Sequence, residues 1–441
     1  MSDLLAIGAS GIKAYSRALS TVGDNIANAQ TPGYVRRQVR MEEATAAGDI
    51  VLSRNSIRPG GVLAAGVTRA VDEWLADDAR IASGDAARSS AKLEWISATE
   101  GSLDDGADGI GTSLTAIFNT ADQLTADPNS TTLRSQFLQA VDSSATAFRR
   151  TASALTSVAS GVASEAQRAV QQLNTDLTAL SRVNDGLRRA RAGSTNEATL
   201  LDERDRLVTA VSTATNVTPS YGPRGTVSLQ APDGSVLLSG TITAQVAVAT
   251  AANGTIAFSV NGAPLVPSSG SLAGLADAAS HIAQQRSSLD ALATQFAADL
   301  NAAHQSGVDA AGNPGAALLN LNGGAAMIAA LALAPGDVAS ADAISSNGNM
   351  LALSGLRGSA GVEAGWAALV TAQSQTAAAA RAKEAAASTR RDGAFAARDA
   401  VSAVDLDREA AELMRFQQAY EAAARTIQVA RETMQTMLNI F

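Results

Sequence analysis

The two ends of this chain carry the same pattern. From the N-terminus, Leu4, Gly8, Ile12, Tyr15, Leu19, Val22, Ile26 and Ala29 follow at steps of 4, 4, 3, 4, 3, 4 and 3. Toward the C-terminus, Leu406, Ala410, Leu413, Gln417, Tyr420, Ala424, Ile427, Arg431, Met434, Leu438 and Phe441 alternate steps of 4 and 3, and nine of these eleven are apolar. A mean step near 3.5 residues is the period of a helix whose seam faces one partner. An isolated helix leaves such a seam in water at a cost of about 25 cal/mol per Å² of apolar surface. Each stripe therefore needs cover: the other terminus, another copy of the chain, or both. Chain ends are usually frayed and polar, yet the last residue, Phe441, belongs to a stripe. Gly8, Gly11, Ala14 and Ala18 allow close helix contacts in the first of them.

Between the stripes the chain reads as helices around one β-rich stretch. The first helix, about 26 residues and near 40 Å long, must stop at Thr31-Pro32-Gly33. The residue before proline is driven out of the α region, and Pro-Gly suits the centre of a type II turn. Residues 35–68 read as extended and loop-like, broken by Arg58-Pro59-Gly60-Gly61. Helical patterning resumes near Val71, with Trp74, Leu75, Ile81, Leu93 and Ile96 as the larger apolar positions, and breaks at Asp104–Gly111. Leu114, Ile117, Phe118 and Leu124 give a second stretch, ended by Asp127-Pro128. Residues 131–190 read as one long helix or two consecutive ones, and Leu200–Val211 as another. From Tyr221 to Gly270 the only charges are Arg224 and Asp233, and apolar residues alternate between Asp233-Gly234, Asn253-Gly254 and Asn261-Gly262 turns. That is a hairpin signal. Helix returns at Leu272–Ala303, an irregular Gly- and Asn-rich stretch covers 305–348, and an Ala-rich pair of helices follows at 360–400. Asp405 is placed to cap the last helix.

Composition narrows what such a chain can do. Its 33 basic and 42 acidic residues leave a net charge of −9, which disfavours a nucleic-acid partner. There is no cysteine, so disulfides and thiolate chemistry are excluded. The longest apolar run, Ala325–Ala334, is too short to span a bilayer. The opening MSDLLAIGASGIKAY lacks a basic segment and carries Asp3, so no cleaved secretory signal is expected.

No reactive constellation emerges. His281 and His304 lie 23 positions apart on one predicted helix, about 35 Å along its axis, and so read as surface or packing residues. Asp104, Gly106, Asp108 and Gly109 approximate a calcium loop, but its twelfth position is Thr115 rather than Glu. Gly109-Ile110-Gly111 lacks the third glycine of a dinucleotide site. Asp77-Asp78 reads as a solvated helix face, and Arg36, Arg37 and Arg40 as a solvated or ion-paired cluster rather than an anion site. No catalytic, cofactor-binding or metal residues are assigned, so an enzyme on a helical scaffold is the weaker class of reading.

The run Asn25-Ile26-Ala27-Asn28-Ala29-Gln30-Thr31-Pro32-Gly33-Tyr34 resembles the N-terminal signature of flagellar rod, hook and hook-associated proteins. Asp405-Leu406-Asp407-Arg408-Glu409, with Leu413, Gln417-Gln418-Ala419-Tyr420 and Ala422, resembles the matching C-terminal signature, with Asp405 where Asn is common. Within the chain, Leu200–Val208, Phe296–Gly315 and Leu114–Pro128 are similar to stretches of the FlgK family of first hook–filament junction proteins. The resemblance implies a mainly α fold with a small inserted β domain. It is elongated, with the terminal helices paired as a coiled coil and a helical-bundle middle. The expected domains are 1–34 plus 402–441 for assembly, 35–215 plus 271–401 for the bundle, and 216–270 for the β-hairpin domain. The implied function is a structural adaptor, self-assembling into the ring between hook and filament and required for filament assembly. Implied partners are further copies of the chain, hook protein, a second junction protein on the filament side, and an export chaperone at the C-terminal helix, with no nucleic acid or membrane. The implied location is extracellular, at the flagellum, reached by type III export without a cleaved signal.

The expected self-assembly interface comprises Leu4, Gly8, Ile12, Tyr15, Leu19, Val22, Asn25, Ile26, Asn28, Ala29, Thr31, Pro32, Gly33, Tyr34, Leu406, Ala410, Leu413, Gln417, Tyr420, Ala424, Ile427, Met434, Leu438 and Phe441. Asn25 and Asn28, beside the seam, are expected to fix register through side-chain hydrogen bonds during assembly, leaving monomer folding independent of them. Another axial flagellar protein (hook, rod or flagellin-like), or a non-flagellar helical interaction module, are the alternatives.

Overall fold

The computed structural model describes residues 2–44, 60–320 and 323–439; Arg58, Pro59 and Phe441 lie outside them. The described chain is mostly helical and divides into two compact units. The first takes residues up to Asp85, Gln172–Val246 and those from Ser388 onward; the second takes Ala86–Gln171 and Ala247–Ala387.

In the first unit, α1 (Ser2–Ala27) runs antiparallel to α9 (Leu406–Leu438), with Gly8 against Ile427, Gly11 against Ala423 and Asn25 bonded to Glu409. The stretch expected to be loop contains an antiparallel hairpin of β1 (Arg37–Glu43) and β2 (Val62–Arg69), bulged at Arg40/Met41. Its alternation is hidden in the sequence because Arg37, Arg40, Glu42 and Glu43 fill β1. The hairpin lies on α1: Val62 N–H donates to Ser10 Oγ (3.2 Å), and Arg17 Nη1 donates to the Ala64 carbonyl (3.2 Å). Beneath β2, Gly193 in the turn between α4 (Thr131–Arg189) and α5 (Thr195–Ala214) accepts from Val67 N–H at 2.9 Å. A Cβ on Gly66 would stand 2.9 Å from the Gly193 Cα, so only glycine allows this approach.

The β-rich stretch forms two small sheets. The first, an antiparallel meander of β3 (Thr218–Tyr221), β4 (Val227–Gln230), β5 (Val236–Ser239) and β6 (Ile242–Thr243), is in the first unit. Asn184 of α4 fastens it, donating to the Val227 and Gly240 carbonyls (both 2.7 Å) and accepting from Val227 N–H (2.9 Å). The second sheet comprises β7 (Val246–Thr250), β8 (Ile256–Val260) and β9 (Ala263–Leu265), all but its first residue in the second unit.

The second unit holds the large-residue core. Ile110, Leu114, Ile117, Phe118 and Leu124 of α3 (Ile110–Ala126) pack with Phe137, Val141, Phe148 and Leu155 of α4 and with Leu289, Phe296 and Leu300 of α6 (Gly270–Gln305). Phe148 and Phe296 stack at 5.6 Å. The Gly- and Asn-rich stretch after α6 is irregular but not peripheral: Leu318, Leu319, Ile328 and Val338 enter this core, as do Met350 and Leu353 of α7 (Gly348–Leu353). A buried loop must have its backbone polar groups paired. Asn301 does this for Leu318 and Leu319 (2.7–2.9 Å), Arg134 for the Gly336 and Val338 carbonyls (3.2 and 3.0 Å), and His304 for Ala316 and Ala339. The pair of helices expected at 360–400 is one helix, α8 (Val362–Ser402): the run has no proline, and its many alanines outweigh Gly365 and Gly393. Helices α4, α8 and α2 (Glu73–Ser102) contribute residues to both units.

Candidate functional site

The sequence stripes and the faces buried within the chain are out of phase. On α1 the buried line is Gly8, Gly11, Ala14, Ala18, Val22 and Asn25, built mainly of small residues. Ile12, Tyr15 and Leu19 are half-buried on its flank, while Leu4 (48%), Ile7 and Ile26 are exposed. Beyond the helix, Asn28, Ala29 and Tyr34 are half-buried and Thr31, Pro32 and Gly33 exposed. On α9 the buried line is a heptad, Glu409, Phe416, Ala423 and Ala430, with Phe416 and Ala423 half-covered. Leu413, Ala424 and Ile427 are half-buried beside it; Leu406, Ala410, Gln417 and Tyr420 are exposed, as are Met434 (45%) and Leu438 (71%). The cause is distance. At Gly8 a Cβ would come within 2.6 Å of Ile427 Cγ1 and at Gly11 within 3.2 Å of the Ala423 Cβ, so α1 meets α9 through its small residues, while its Leu4, Ile7 and Ile26 are left outward.

At the other end of the helix pair lies a buried polar network. Its geometry begins with the turn: Gly33 takes φ +82°, and Tyr34 N–H donates to the Thr31 carbonyl at 3.1 Å, the type II turn read from Pro32-Gly33. Asn28 closes α1 by donating to the Asp24 carbonyl at 2.9 Å. The turn brings residues 34–37 back onto Asn25. Asn25 Nδ2 donates to the Arg37 carbonyl (2.8 Å) and to Glu409 Oε2 (2.9 Å), and Oδ1 accepts from Arg37 N–H (3.0 Å) and Tyr34 Oη–H (2.9 Å). Asn25 is therefore saturated inside its own chain, with no atom free for the register role expected of it in assembly. Arg36 Nε donates to Glu409 Oε1 (2.6 Å) and Nη2 to Glu412 (3.1 Å). Arg37 stacks over Tyr34 and donates to Asp202 (2.6 Å), which also accepts from Arg69 Nε (2.7 Å). Arg69 reaches Asp205 (2.6 Å), which pairs with Arg204, which in turn donates to the Gly225 carbonyl and lies over Tyr221.

Four guanidinium groups thus face four carboxylates. Burying a charge is costly unless it is paired, and here each has a partner. Burial pushes Asp202 upward from the usual carboxylate range, while Arg69 and Arg37 pull it back. Burial, partly offset by Arg37 and reinforced by Asp24, pushes the Tyr34 hydroxyl up to about 12, so it remains a neutral donor to Asn25. Of the basic cluster, Arg36 and Arg37 are buried ion-pair partners; Arg40 remains exposed beside Glu42. The acid partners Glu409 and Asp202 and the base Arg69 escape a reading by hydrophobic stripe. The available signal for Glu409 is its heptad spacing from Phe416 and Ala423. As expected, Asp405 caps α9, accepting from Asp407 and Arg408 N–H. Among the described residues no group of three or more His, Cys, Asp or Glu is placed to hold a metal ion. His304 is a buried loop anchor, and His281 is half-buried against Gln373.

Comparison with known proteins concerns the same segments. Residues 96–319 match the family described as flagellar hook-associated protein FlgK helical domain. Residues 5–34 match the flagella basal body rod protein family, and 399–440 the C-terminal family of the rod FlgEFG proteins. The chain is 26% identical to flagellar hook-associated protein 1 of Bacillus subtilis, over 97% of this chain and 96% of that protein. It is 27% identical to the protein of that name in Salmonella typhimurium and 25% to that in Escherichia coli, in both cases over 71% of this chain and 59% of the relative. It thus spans less than two thirds of those two longer relatives. A solved structure of the flagellar hook junction protein FlgK from Burkholderia pseudomallei aligns with 55% of this chain and 48% of its own, at 22% identity and a TM-score of 0.48. With its helical segment matched over half its length, and rod-protein signatures at both ends, the chain belongs to the FlgK family of flagellar hook-associated proteins.

Proposed function

We propose that this chain is a non-catalytic structural adaptor of the bacterial flagellum that self-assembles into the ring between hook and filament. The observation that carries the reading is the outward stripe on the terminal helices. Leu4, Ile26, Leu406, Tyr420, Met434 and Leu438 remain exposed after α1 and α9 have packed on one another. Apolar surface of this extent on paired helices calls for a further partner, and repetition of one contact from copy to copy generates a ring or helix. Terminal matches to rod proteins support an axial location, and the helical segment favours the junction over rod or hook. In this reading the assembly domain is 1–34 plus 402–441, hook protein and a second junction protein are the axial neighbours, and an export chaperone covers the C-terminal helix before assembly.

The test is the full-length double variant Met434→Glu/Leu438→Glu. Both side chains are exposed, so the monomer's circular dichroism and unfolding are expected to stay as in the parent. Self-association in sedimentation is expected to disappear, and cells carrying the variant are expected to be non-motile and to leak filament subunit into the medium. A variant that assembles and restores motility overturns the proposal.

A further inference from the structure

We propose that the buried Arg36–Glu409 pair, together with Asn25, is a register lock that selects one alignment of α9 along α1. The need for a lock follows from the seam. Gly8 and Gly11 meet Ala423 and Ile427, and α9 offers further small residues one turn away, Ala419 among them. Sliding α9 by one turn, about 5.4 Å, exchanges Ala423 at Gly11 for Ala419 in one direction and for Ile427, which a glycine already accepts at Gly8, in the other. A small-residue seam therefore holds the helices close without saying where along each other they sit. Polar groups buried in a helix interface are the recognised device for breaking such a degeneracy.

Glu409 meets the requirement. It is fully buried, with Oε1 held by Arg36 Nε at 2.6 Å and Oε2 by Asn25 Nδ2 at 2.9 Å. Arg36 cannot follow a sliding α9. Its own N–H donates to the Ser402 carbonyl at 2.9 Å, and the next residue is tied to Asp202 of α5 at 2.6 Å. Displacement one turn in one direction brings Leu413 to the place of Glu409, so that Glu412 alone is near enough to answer Arg36 and the Asn25 donor loses its carboxylate. Displacement in the other brings Asp405, one methylene shorter and already committed to capping α9 through Asp407 and Arg408 N–H. Only the observed alignment satisfies Arg36, Asn25 and Glu409 together. The inference concerns one chain's own helices and is separate from the assembly reading, so either can fail alone.

The absence of cysteine allows alignment to be read directly by introduced pairs. A Cβ on Gly11 stands 3.2 Å from the Ala423 Cβ, close to disulfide range. Gly11→Cys/Ala423→Cys reports the observed register; Gly11→Cys/Ala419→Cys and Gly11→Cys/Ile427→Cys report the two displaced ones. The full chain is oxidised with copper phenanthroline at low concentration, and intrachain links are quantified by mass spectrometry. In the parent background the first pair is expected to link at least about tenfold faster than either other. With Arg36→Met/Glu409→Leu, which keeps the site filled without charge, helix content is expected to hold and the preference to fall below about threefold. No preference in the parent, or a preference unchanged by the double variant, overturns the lock. If the double variant loses helix, Glu409→Gln, which retains the side-chain shape, decides by the same ratio: an unchanged preference overturns the lock and a reduced one supports it.

Discussion

Asn25 has two donors and two acceptor sites, and the chain uses all four. Its replacement therefore acts on the fold, not only on contacts between copies. Asn25→Ala leaves Arg37 N–H and the Tyr34 hydroxyl without their acceptor, at about 1–3 kcal/mol per unsatisfied group. Denaturant unfolding is expected to register the loss, and exchange of the Arg37 amide to accelerate. Asn25→Asp, nearly the same shape, is expected to cost at least as much, because it places a second carboxylate beside Glu409 and removes two donors. His304 gives a different residue-scale prediction. Its Nδ1–H donates to the Ala316 carbonyl (2.6 Å) and its Nε2 accepts from Ala339 N–H (2.9 Å), so the ring is held neutral, and burial depresses its tendency to protonate below the usual imidazole range. The unfolded chain then binds the proton first as pH falls. The His304 contribution is complete above about pH 6.5 and is lost below it, with a slope of at most about 1.4 kcal/mol per pH unit. His304→Asn is expected to lower stability at pH 7.5 and flatten its decline between pH 6.5 and 5, measured by urea unfolding. Both residues were visible in the sequence, but their partners were not. Asn25 meets Glu409 across 384 positions, and His304 binds carbonyl and amide groups whose placement depends on an irregular loop.

Most helices were legible because periodicity and punctuation agree: α1 stops at the Pro-Gly turn, α9 starts at the Asp405 cap, and α3 lies between the two predicted breaks. What periodicity did not give was phase. The stripes mixed residues of the intrachain contact, Gly8, Val22 and Ile427, with an outward flank of Leu4, Ile26, Leu406 and Leu438, whereas Gly11 and Ala423 lie one position off them. Side-chain size decides which face can pack at short range, and hydrophobicity alone cannot. The hairpin was missed for a related reason: charged residues fill β1, with Arg37 buried against Asp202 while Arg40, Glu42 and Glu43 stay exposed, so no apolar alternation marks the strand. At this scale Gly8→Ala is the informative change. Alanine improves helix propensity by about 1 kcal/mol, yet its Cβ would overlap Ile427. The expected net result is a loss of about 1–2 kcal/mol in α1–α9 pairing, since overpacking typically costs 1–3 kcal/mol. Ile427→Ala, which removes the obstruction, is expected to restore pairing in the double variant more than the two single effects would sum to. Hydrogen exchange across α1 reads both outcomes.

The two units differ in what makes them cohere. The second is held by Leu, Ile and Phe side chains around α3, α4 and α6, each worth about 1.5–3 kcal/mol when fully buried. The first has small-residue contacts between its terminal helices and a chain of ion pairs leading from α9 to α5. Removing residues 406–441 should therefore have a graded result. Glu409 and Glu412 go with α9, but so does the cover over Arg36, which regains water instead of being left as a buried unpaired charge. The hairpin keeps its anchors, because Arg37 and Arg69 still reach Asp202. α1 loses the surface on which Gly8 and Gly11 lie and keeps the hairpin's hydrogen bonds at Ser10 and Arg17, whereas most helical stability in proteins comes from packing of an apolar face. The truncated chain is thus expected to lose helical signal equivalent to both α1 and α9, although only α9 has been deleted. The second unit should be insensitive: the fluorescence of Trp366, buried in its core, is expected to report an unfolding free energy within about 0.5 kcal/mol of the full chain. A loss confined to the deleted residues would mean that α1 is held by the β1–β2 hairpin rather than by α9. A shift at Trp366 would mean that the terminal pair supports the large-residue core as well.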